Sequence, residues 1–328
     1  MEIIEALEQS GALQKKARAF LATKDLLGID QLTVEEIEHI LQTARSFEEI
    51  SARAIKKVPT LRGRTIANLF FEPSTRTRTS FELAGKRLSA DVINISSKTS
   101  AIAKGESLKD MALTLQAMGV DAVVIRHSAA GAPHMFARWT DARVINAGDG
   151  AHEHPTQALL DLYTIRSKLG KIRDLRVSIV GDIAHSRVAR SNILALTKMG
   201  ARVTLVAPST LIPLGIERLG VTVCSDLDEV IPKVDIVYVL RLQLERQKES
   251  FLPTLREYSN LFGLTAERMK KAKDGVLVMH PGPLNRGIEI SSEVADKAEA
   301  VITEQVSSGI AVRMAILFLL FGGVSESA

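Results

Sequence analysis

The stretch Ile66-Ala67-Asn68-Leu69-Phe70-Phe71-Glu72-Pro73-Ser74-Thr75-Arg76-Thr77-Arg78-Thr79-Ser80-Phe81 decides how this chain is read. Ile66 to Phe71 is apolar and β-prone, Pro73 breaks it, and Phe81, Ala84 and Leu88 then recur at helical spacing. The pattern predicts a buried strand, a proline turn and a helix capped by Ser74 or Thr75. Arg76 and Arg78 fall in the first turn, where the helix dipole disfavours cations. Hydroxyls, free N–H groups and arginines together suit a phosphate. The competing reading is an ordinary cap with two solvated arginines.

The same alternation extends in both directions. Upstream, Thr33 with Glu36 reads as a capping box opening a helix to about Ile50. Downstream come a strand at Val92–Ser96, a helix at Leu108–Met118, and strands at Ala122–Arg126 and Val144–Asn146. A long helix over about Pro155–Lys168 follows, with Leu159, Leu162, Tyr163 and Ile165 on its apolar side. A second series then runs through a strand at Arg176–Val180, a helix at about Arg187–Met199, and strands at Arg202–Val206, Ile236–Val239 and Val276–Met279. A last helix covers about Glu304–Leu320. The expectation is an α/β chain of two doubly wound parallel-sheet domains joined by helices.

At 328 residues the chain is long enough for two such cores. Apolar residues make up 46% and charged residues 24%, as in soluble globular proteins. The net charge of +4 is spread without a dense basic run, and aromatics are only 4%, which argues against a nucleic-acid stacking platform. The single Cys224 excludes an intrachain disulfide and suits a reducing compartment. Residues 1–20 read as a polar helical extension without a signal peptide, and the apolar run Met314–Val324 is too short to span a bilayer. A cytoplasmic address with no membrane partner is expected.

Further chemistry-bearing segments follow strands, where open α/β sheets place ligands. They are Arg126-His127, His152-Glu153-His154-Pro155-Thr156-Gln157, Gly181 to Arg187, Arg241-Leu242-Gln243 and His280-Pro281-Gly282-Pro283. His152 and His154 lack the i, i+4 spacing of a helical zinc pair, so no metal is expected. His154 as a donor to a carbonyl oxygen, with Gln157 one turn on, competes with a plain capping histidine. The segment after Val180 suggests a dinucleotide-binding turn and hence a dehydrogenase, but it has one glycine where three are needed. Arg187 at that helix start suits a carboxylate, against the alternative of a solvated arginine. Arg241 and Gln243 point the same way if the chain is extended. The prolines of 280–283 expose backbone carbonyls able to accept from an –NH₂ group.

Ser74-Thr75-Arg76-Thr77-Arg78, Arg126-His127, His154-Pro155-Thr156-Gln157 and His280-Pro281-Gly282-Pro283 occur in the order seen in the carbamoyltransferases, which this chain resembles from about Leu32 to Leu320. Lys104-Gly105-Glu106, Arg241-x-Gln243 and Pro281-Gly282-Pro283 resemble the aspartate-using branch rather than the ornithine-using one. The resemblance implies a carbamoyl phosphate-binding domain over 1–153 with 305–328, and an L-aspartate-binding domain over 154–304. It implies Ser74, Thr75, Arg76 and Thr77 on the phosphate, and Arg126, Thr77 and His154 on the carbamoyl oxygen. Gln157 with the carbonyls of Pro281 and Gly282 or Pro283 would hold the amide. Arg187, Arg241 and Gln243 would grip aspartate, and Arg78 would have no ligand role.

The resemblance further implies a homotrimer with shared sites, Ser100 and Lys104 reaching in from a neighbour. It leaves room for a regulatory chain or dihydroorotase as partner, and no cofactor is expected. The other readings carried forward are a carbamoyltransferase for another amino acid, such as ornithine, and a non-catalytic scaffold.

Overall fold

The structure, a computed structural model, describes residues 21–96, 105–243 and 254–322. The expected extension over 1–20 and the loop bearing Ser100 and Lys104 lie outside the described residues.

Helix α1, Val34–Ser51, opens as the sequence requires. Thr33 Oγ1 accepts from the Glu36 N–H at 3.2 Å, and the Glu36 carboxylate accepts from the Thr33 N–H at 2.9 Å. Its Ile37, Ile40, Leu41, Ala44 and Phe47 face the core. The first sheet comprises β1 (Thr65–Phe70), β2 (Asp91–Ser96), β3 (Ala122–His127) and β4 (Arg143–Asp149), all parallel in the order β2-β1-β3-β4. Ile66 to Phe70 are all buried, so both faces of β1 are covered, which is why its run is nearly continuously apolar rather than alternating. Helices α2 (Thr75–Arg87), α3 (Leu108–Ala117) and α4 (Ala132–Ala137) connect these strands.

Strand β4 runs three residues past the expected Asn146, since Asp149 still pairs with His127. Between Ile125 and His127 the register shifts, so Arg126 sits at an irregularity that re-aims its side chain.

Helix α5, Pro155–Leu169, departs from the expected one-sided stripe: every residue from Pro155 to Ile165 is buried. It is enclosed by α1, by α6 (Arg187–Lys198), by β4 and by the final helix α8 (Ile302–Leu320). The second sheet, β5 (Arg176–Val180), β6 (Arg202–Val206), β7 (Thr222–Cys224), β8 (Ile236–Val239) and β9 (Leu277–Met279), is parallel in the order β7-β6-β5-β8-β9. Short β7, α4 and α7 (Leu255–Phe262) are elements that the spacing did not announce.

Helix α8 is 19 residues long and apolar enough, by length and composition, to cross a membrane, a longer stretch than the apolar run suggested. Its packing explains that composition, because it is wedged against α1, α2 and α5 with Gln305, Ser308 and Arg313 buried inside the protein. Arg313 donates to Ser80 Oγ and lies 5.1 Å from the Phe81 ring centre. Burial pulls its pKa down to about 10.

Candidate active site

The carboxyl ends of both sheets meet, and the residues singled out by sequence cluster there. Ser74 occupies the N-cap position of α2 (φ −161°, ψ 88°), but its side chain makes no capping bond. The expected cap is therefore a positional one only. The first helical bond runs from the Arg78 N–H to the Ser74 carbonyl, so the N–H groups of Thr75, Arg76 and Thr77 precede the hydrogen-bonded ladder. Thr77 is buried, whereas Thr75 and Arg76 are exposed.

Arg76 reaches across to the second sheet. A Cβ built on Gly282 would lie 2.9 Å from Arg76 Cζ, and Gly282 has φ +63°, so a side chain at 282 would be strained and would push the guanidinium aside. The Arg76 pKa is lowered, first by desolvation and then by the nearby Arg241. A second guanidinium close enough to disfavour the Arg76 charge favours an anion nearby.

Arg126 Nη1 donates to the Ala147 carbonyl at 3.2 Å, and its Nε lies 3.4 Å from Glu72 Oε2. Arg187 opens α6, where Ser186 Oγ accepts from the Ala189 N–H at 3.1 Å. The Arg187 guanidinium donates to the same Glu72 oxygen at 2.5 Å. At 2% exposure Arg187 is not a solvated arginine, and its buried side chain at the helix start argues against the dinucleotide reading. A Cβ on Gly148 (φ +115°) would lie 2.9 Å from Arg187 Nη1 and 3.2 Å from Arg126 Nη1, so both arginines depend on that glycine. Glu72 was missed by sequence reasoning. Its only signal was an acid placed between a buried strand and Pro73.

His154, 3% exposed, stands at the N-cap position of α5. Its N–H donates to Ser191 Oγ at 2.8 Å, and Ser191 in turn donates to Glu153 Oε2 at 2.9 Å. Glu153 also accepts from the Ile29 N–H at 3.0 Å. Burial raises the Glu153 pKa, with those two hydrogen bonds opposing. Ser191 lies one turn along α6 from Arg187, so His154 is tied to the helix that carries Arg187. Gln157 Nε2 donates to Asp161 Oδ1 at 3.0 Å.

His152 turns elsewhere: its Nδ1 is 3.0 Å from Asp149 Oδ2, and its ring meets that of His134. His134, Asp149 and His152 each bring one possible ligand atom within 4.8 Å of the others. Both Asp149 oxygens are already taken up, by the N–H groups of Gly131 and Glu153, the Asn146 amide and His152.

In the turn after β9, His280 Nδ1 accepts from the Gly282 N–H at 2.8 Å, and the His280 N–H donates to Gln305 Oε1 at 2.9 Å. Its Nε2 lies 3.4 Å from Glu289 Oε1, which also accepts from the Asn285 N–H at 2.5 Å. Desolvation holds the His280 pKa below the ordinary value; Glu289 opposes this, and Arg76 and Arg241 add to it. Arg241 Nη2 donates to Gln243 Oε1 at 3.2 Å, so the two side chains do point the same way. The Gln243 N–H donates to buried Asp182 at 3.2 Å.

Two groups result: Arg126 and Arg187 share Glu72 and lie against Gly148, while Arg76 lies against Gly282 in the 280–283 turn and feels the charge of Arg241, which holds Gln243. Pro283 is exposed at the outer end of that turn. Arg78 is half-buried and acts on Glu82, helping to lower that carboxyl's pKa after Lys86 and Asn94. Cations gathered at two opposed sheet edges, with carbonyls and an amide beside them, define a site for polyanionic ligands bearing a hydrogen-bond donor.

Family comparison agrees with that chemistry. Residues 24–167 match the family described as aspartate/ornithine carbamoyltransferase, carbamoyl-P binding domain. Residues 173–320 match its aspartate/ornithine carbamoyltransferase, Asp/Orn binding domain. The chain belongs to the aspartate/ornithine carbamoyltransferase family.

Its similarity is strongest toward one branch. The aspartate carbamoyltransferase catalytic subunit of Thermobifida fusca is 61% identical over 91% of this chain and 95% of its own length. That of Moorella thermoacetica is 60% identical over 93% and 99%. Aspartate transcarbamoylase of Trypanosoma cruzi, solved with N-(phosphonacetyl)-L-aspartic acid, superposes with a TM-score of 0.83 at 34% identity, covering 90% of this chain and 95% of that one. Ornithine carbamoyltransferase of Pyrococcus furiosus gives 0.81 at 30%, covering 92% and 98%.

Proposed function

We infer that this chain transfers the carbamoyl group of carbamoyl phosphate to the α-amine of L-aspartate, yielding N-carbamoyl-L-aspartate and phosphate, a step of pyrimidine biosynthesis. The observation that carries the site assignment is that arginines bridge strand ends of the two sheets twice over, Arg187 with Arg126 on Glu72 and Arg76 with Gly282 beside Arg241. The two substrates bring a phosphate and two carboxylates, and the site is built from cations.

Ser74, Thr75, Arg76 and Thr77 bind the phosphate at the start of α2. Arg126, Thr77 and His154 face the carbamoyl oxygen. Gln157 and the carbonyls of Pro281 and of Gly282 or Pro283 accept from the amide. Arg187, Arg241 and Gln243 hold the aspartate carboxylates. Residues 1–153 with 305–328 form the carbamoyl phosphate domain, and 154–304 the aspartate domain. The active assembly is a homotrimer in which Ser100 and Lys104 come from the adjacent subunit, and its location is the cytoplasm. A regulatory chain or dihydroorotase is the kind of partner the assembly would take.

The neutral amine attacks the carbamoyl carbon, forming the new C–N bond, and negative charge grows on the carbonyl oxygen. Positioned cationic donors stabilise that charge. The tetrahedral intermediate collapses with cleavage of the bond between the carbamoyl carbon and the phosphate oxygen. The departing phosphate accepts the amine proton.

The test is turnover of carbamoyl phosphate with aspartate and ornithine in parallel. Aspartate is the expected acceptor, because Arg241 paired with Gln243 suits a carboxylate and repels a cationic side chain. Faster carbamoylation of ornithine would overturn the acceptor assignment. Binding of both substrates without turnover would favour the scaffold reading.

A further inference from the structure

Asp161 lies one turn beyond Gln157 on α5 and is completely buried. Its Oδ1 accepts from Gln157 Nε2 at 3.0 Å and from Gln305 Nε2 at 2.7 Å. Its Oδ2 accepts from Asn192 Nδ2 at 2.9 Å and from the Tyr238 hydroxyl at 2.7 Å. An ionised carboxylate only accepts, so each glutamine must turn its –NH₂ inward and its oxygen away. For Gln305 the outward oxygen takes the His280 N–H, at the root of the 280–283 turn. For Gln157 the outward oxygen is left as an acceptor. The opposite flip would present an –NH₂, which cannot receive a hydrogen bond from a ligand amide.

We propose that Asp161, without touching substrate, is a specificity-determining positioning residue. By orienting Gln157 and, through Gln305, the 280–283 turn, it makes the site select a carbamoyl –NH₂ over a methyl group. This rests on the amide-holding role proposed for Gln157. The apt probe is acetyl phosphate, which keeps the phosphate and carbonyl but replaces –NH₂ by –CH₃. It leaves the oriented acceptors without donors, the kind of mismatch a polar site rejects most strongly.

The experiment measures carbamoyl phosphate affinity against acetyl phosphate inhibition in the assembled full-length protein, with inorganic phosphate binding as the control for an intact site. In Asp161→Ala the preference for carbamoyl phosphate should fall about tenfold or more while phosphate affinity is kept. Asp161→Asn should retain most of the preference. Its remaining oxygen serves the two glutamines, and Asn192, whose Oδ1 has no partner among the described residues, can turn its amide to accept from the new –NH₂. Gln157→Met should lose the preference as Asp161→Ala does, and it decides the matter if Asp161→Ala does not fold. An unchanged preference in Gln157→Met, or in an Asp161→Ala protein that binds phosphate, overturns the proposal. So does an equal loss in Asp161→Asn and Asp161→Ala. A wild-type protein with no preference at all would instead sink the carbamoyl phosphate reading itself.

Discussion

The Arg187 guanidinium donates to Glu72 at 2.5 Å, joining the first turn of α6 to the loop that leaves β1. Arg126 shares the same carboxylate oxygen. Glu72 therefore sets the position of two guanidiniums of the candidate site and spans its two sheets. Removing its charge should free both side chains from their present geometry. In Glu72→Gln, kcat/KM for aspartate should fall about 10- to 100-fold, the worth of one charge-assisted hydrogen bond. Steady-state kinetics with each substrate varied in turn will check it; values within twofold of wild type would mean that Glu72 positions nothing.

Arg76 stands against Arg241 and Gly282, crowded by like charge. Arg76→Ala should lower carbamoyl phosphate affinity by about 100-fold, yet leave the unliganded protein as stable as before, since a repulsive neighbour is removed. Thermal unfolding with and without phosphate tests both halves. The stabilisation produced by phosphate should vanish while the unliganded Tm holds.

If Lys104 enters the neighbouring subunit's site, as proposed, complementation between subunits follows. Lys104→Ala and Arg76→Ala should each lose most activity at carbamoyl phosphate concentrations that saturate wild type, and regain part of it when mixed and reassembled. Hybrid trimers then contain a site with both halves intact. No recovery after demonstrated subunit exchange would rule out sharing.

Asp161 should give stability an acid-side signature. Burial, the largest influence, raises its pKa from 3.8 to about 6, against the four hydrogen bonds that favour the charged form. Between these values the folded protein binds the proton more tightly than the unfolded chain, so stability falls as pH rises through that window. The ionised group costs about 3 kcal/mol above it. Wild type should therefore gain on Asp161→Asn as pH drops from about 6 toward 4. Parallel Tm curves for the two proteins would contradict this.

His280 should act in the opposite sense. Its depressed pKa means that the unfolded chain takes up the proton first, near 6.5, and stability present above that value is lost as pH falls. Protonation would also convert Nδ1 from the acceptor of the Gly282 N–H into a donor. His280→Asn keeps an acceptor without the titration, so wild type should lose Tm relative to it below about pH 6.5. A constant difference between the two across that range would contradict the prediction.

Much of the scaffold was legible because its signals are local. The Thr33–Glu36 capping box, the apolar run of β1 and the strands at Arg176–Val180, Arg202–Val206 and Ile236–Val239 lie where residue spacing put them. The all-round burial of α5 was not legible, because a helix enclosed on every side is recognised only from its neighbours. Residue types also drew attention to Arg76, Arg126, Arg187 and Arg241. They could not reveal Glu72 as the common partner of Arg126 and Arg187, or Asp161 as the partner of Gln157 and Gln305. Those contacts join residues from 54 to 144 positions apart, or bury a polar group without any periodic signal.

The sequence by itself determined the parallel α/β design and the residue types available for an anionic substrate, since periodicity, caps and turns are properties of neighbouring residues. Only the tertiary structure decided that Arg187 is buried on Glu72 rather than solvated, that Arg76 closes on Gly282, and that Ser74 leaves its own helix uncapped. Each of those outcomes depends on which strand ends face one another, and that is set by packing across the two sheets rather than by spacing along the chain.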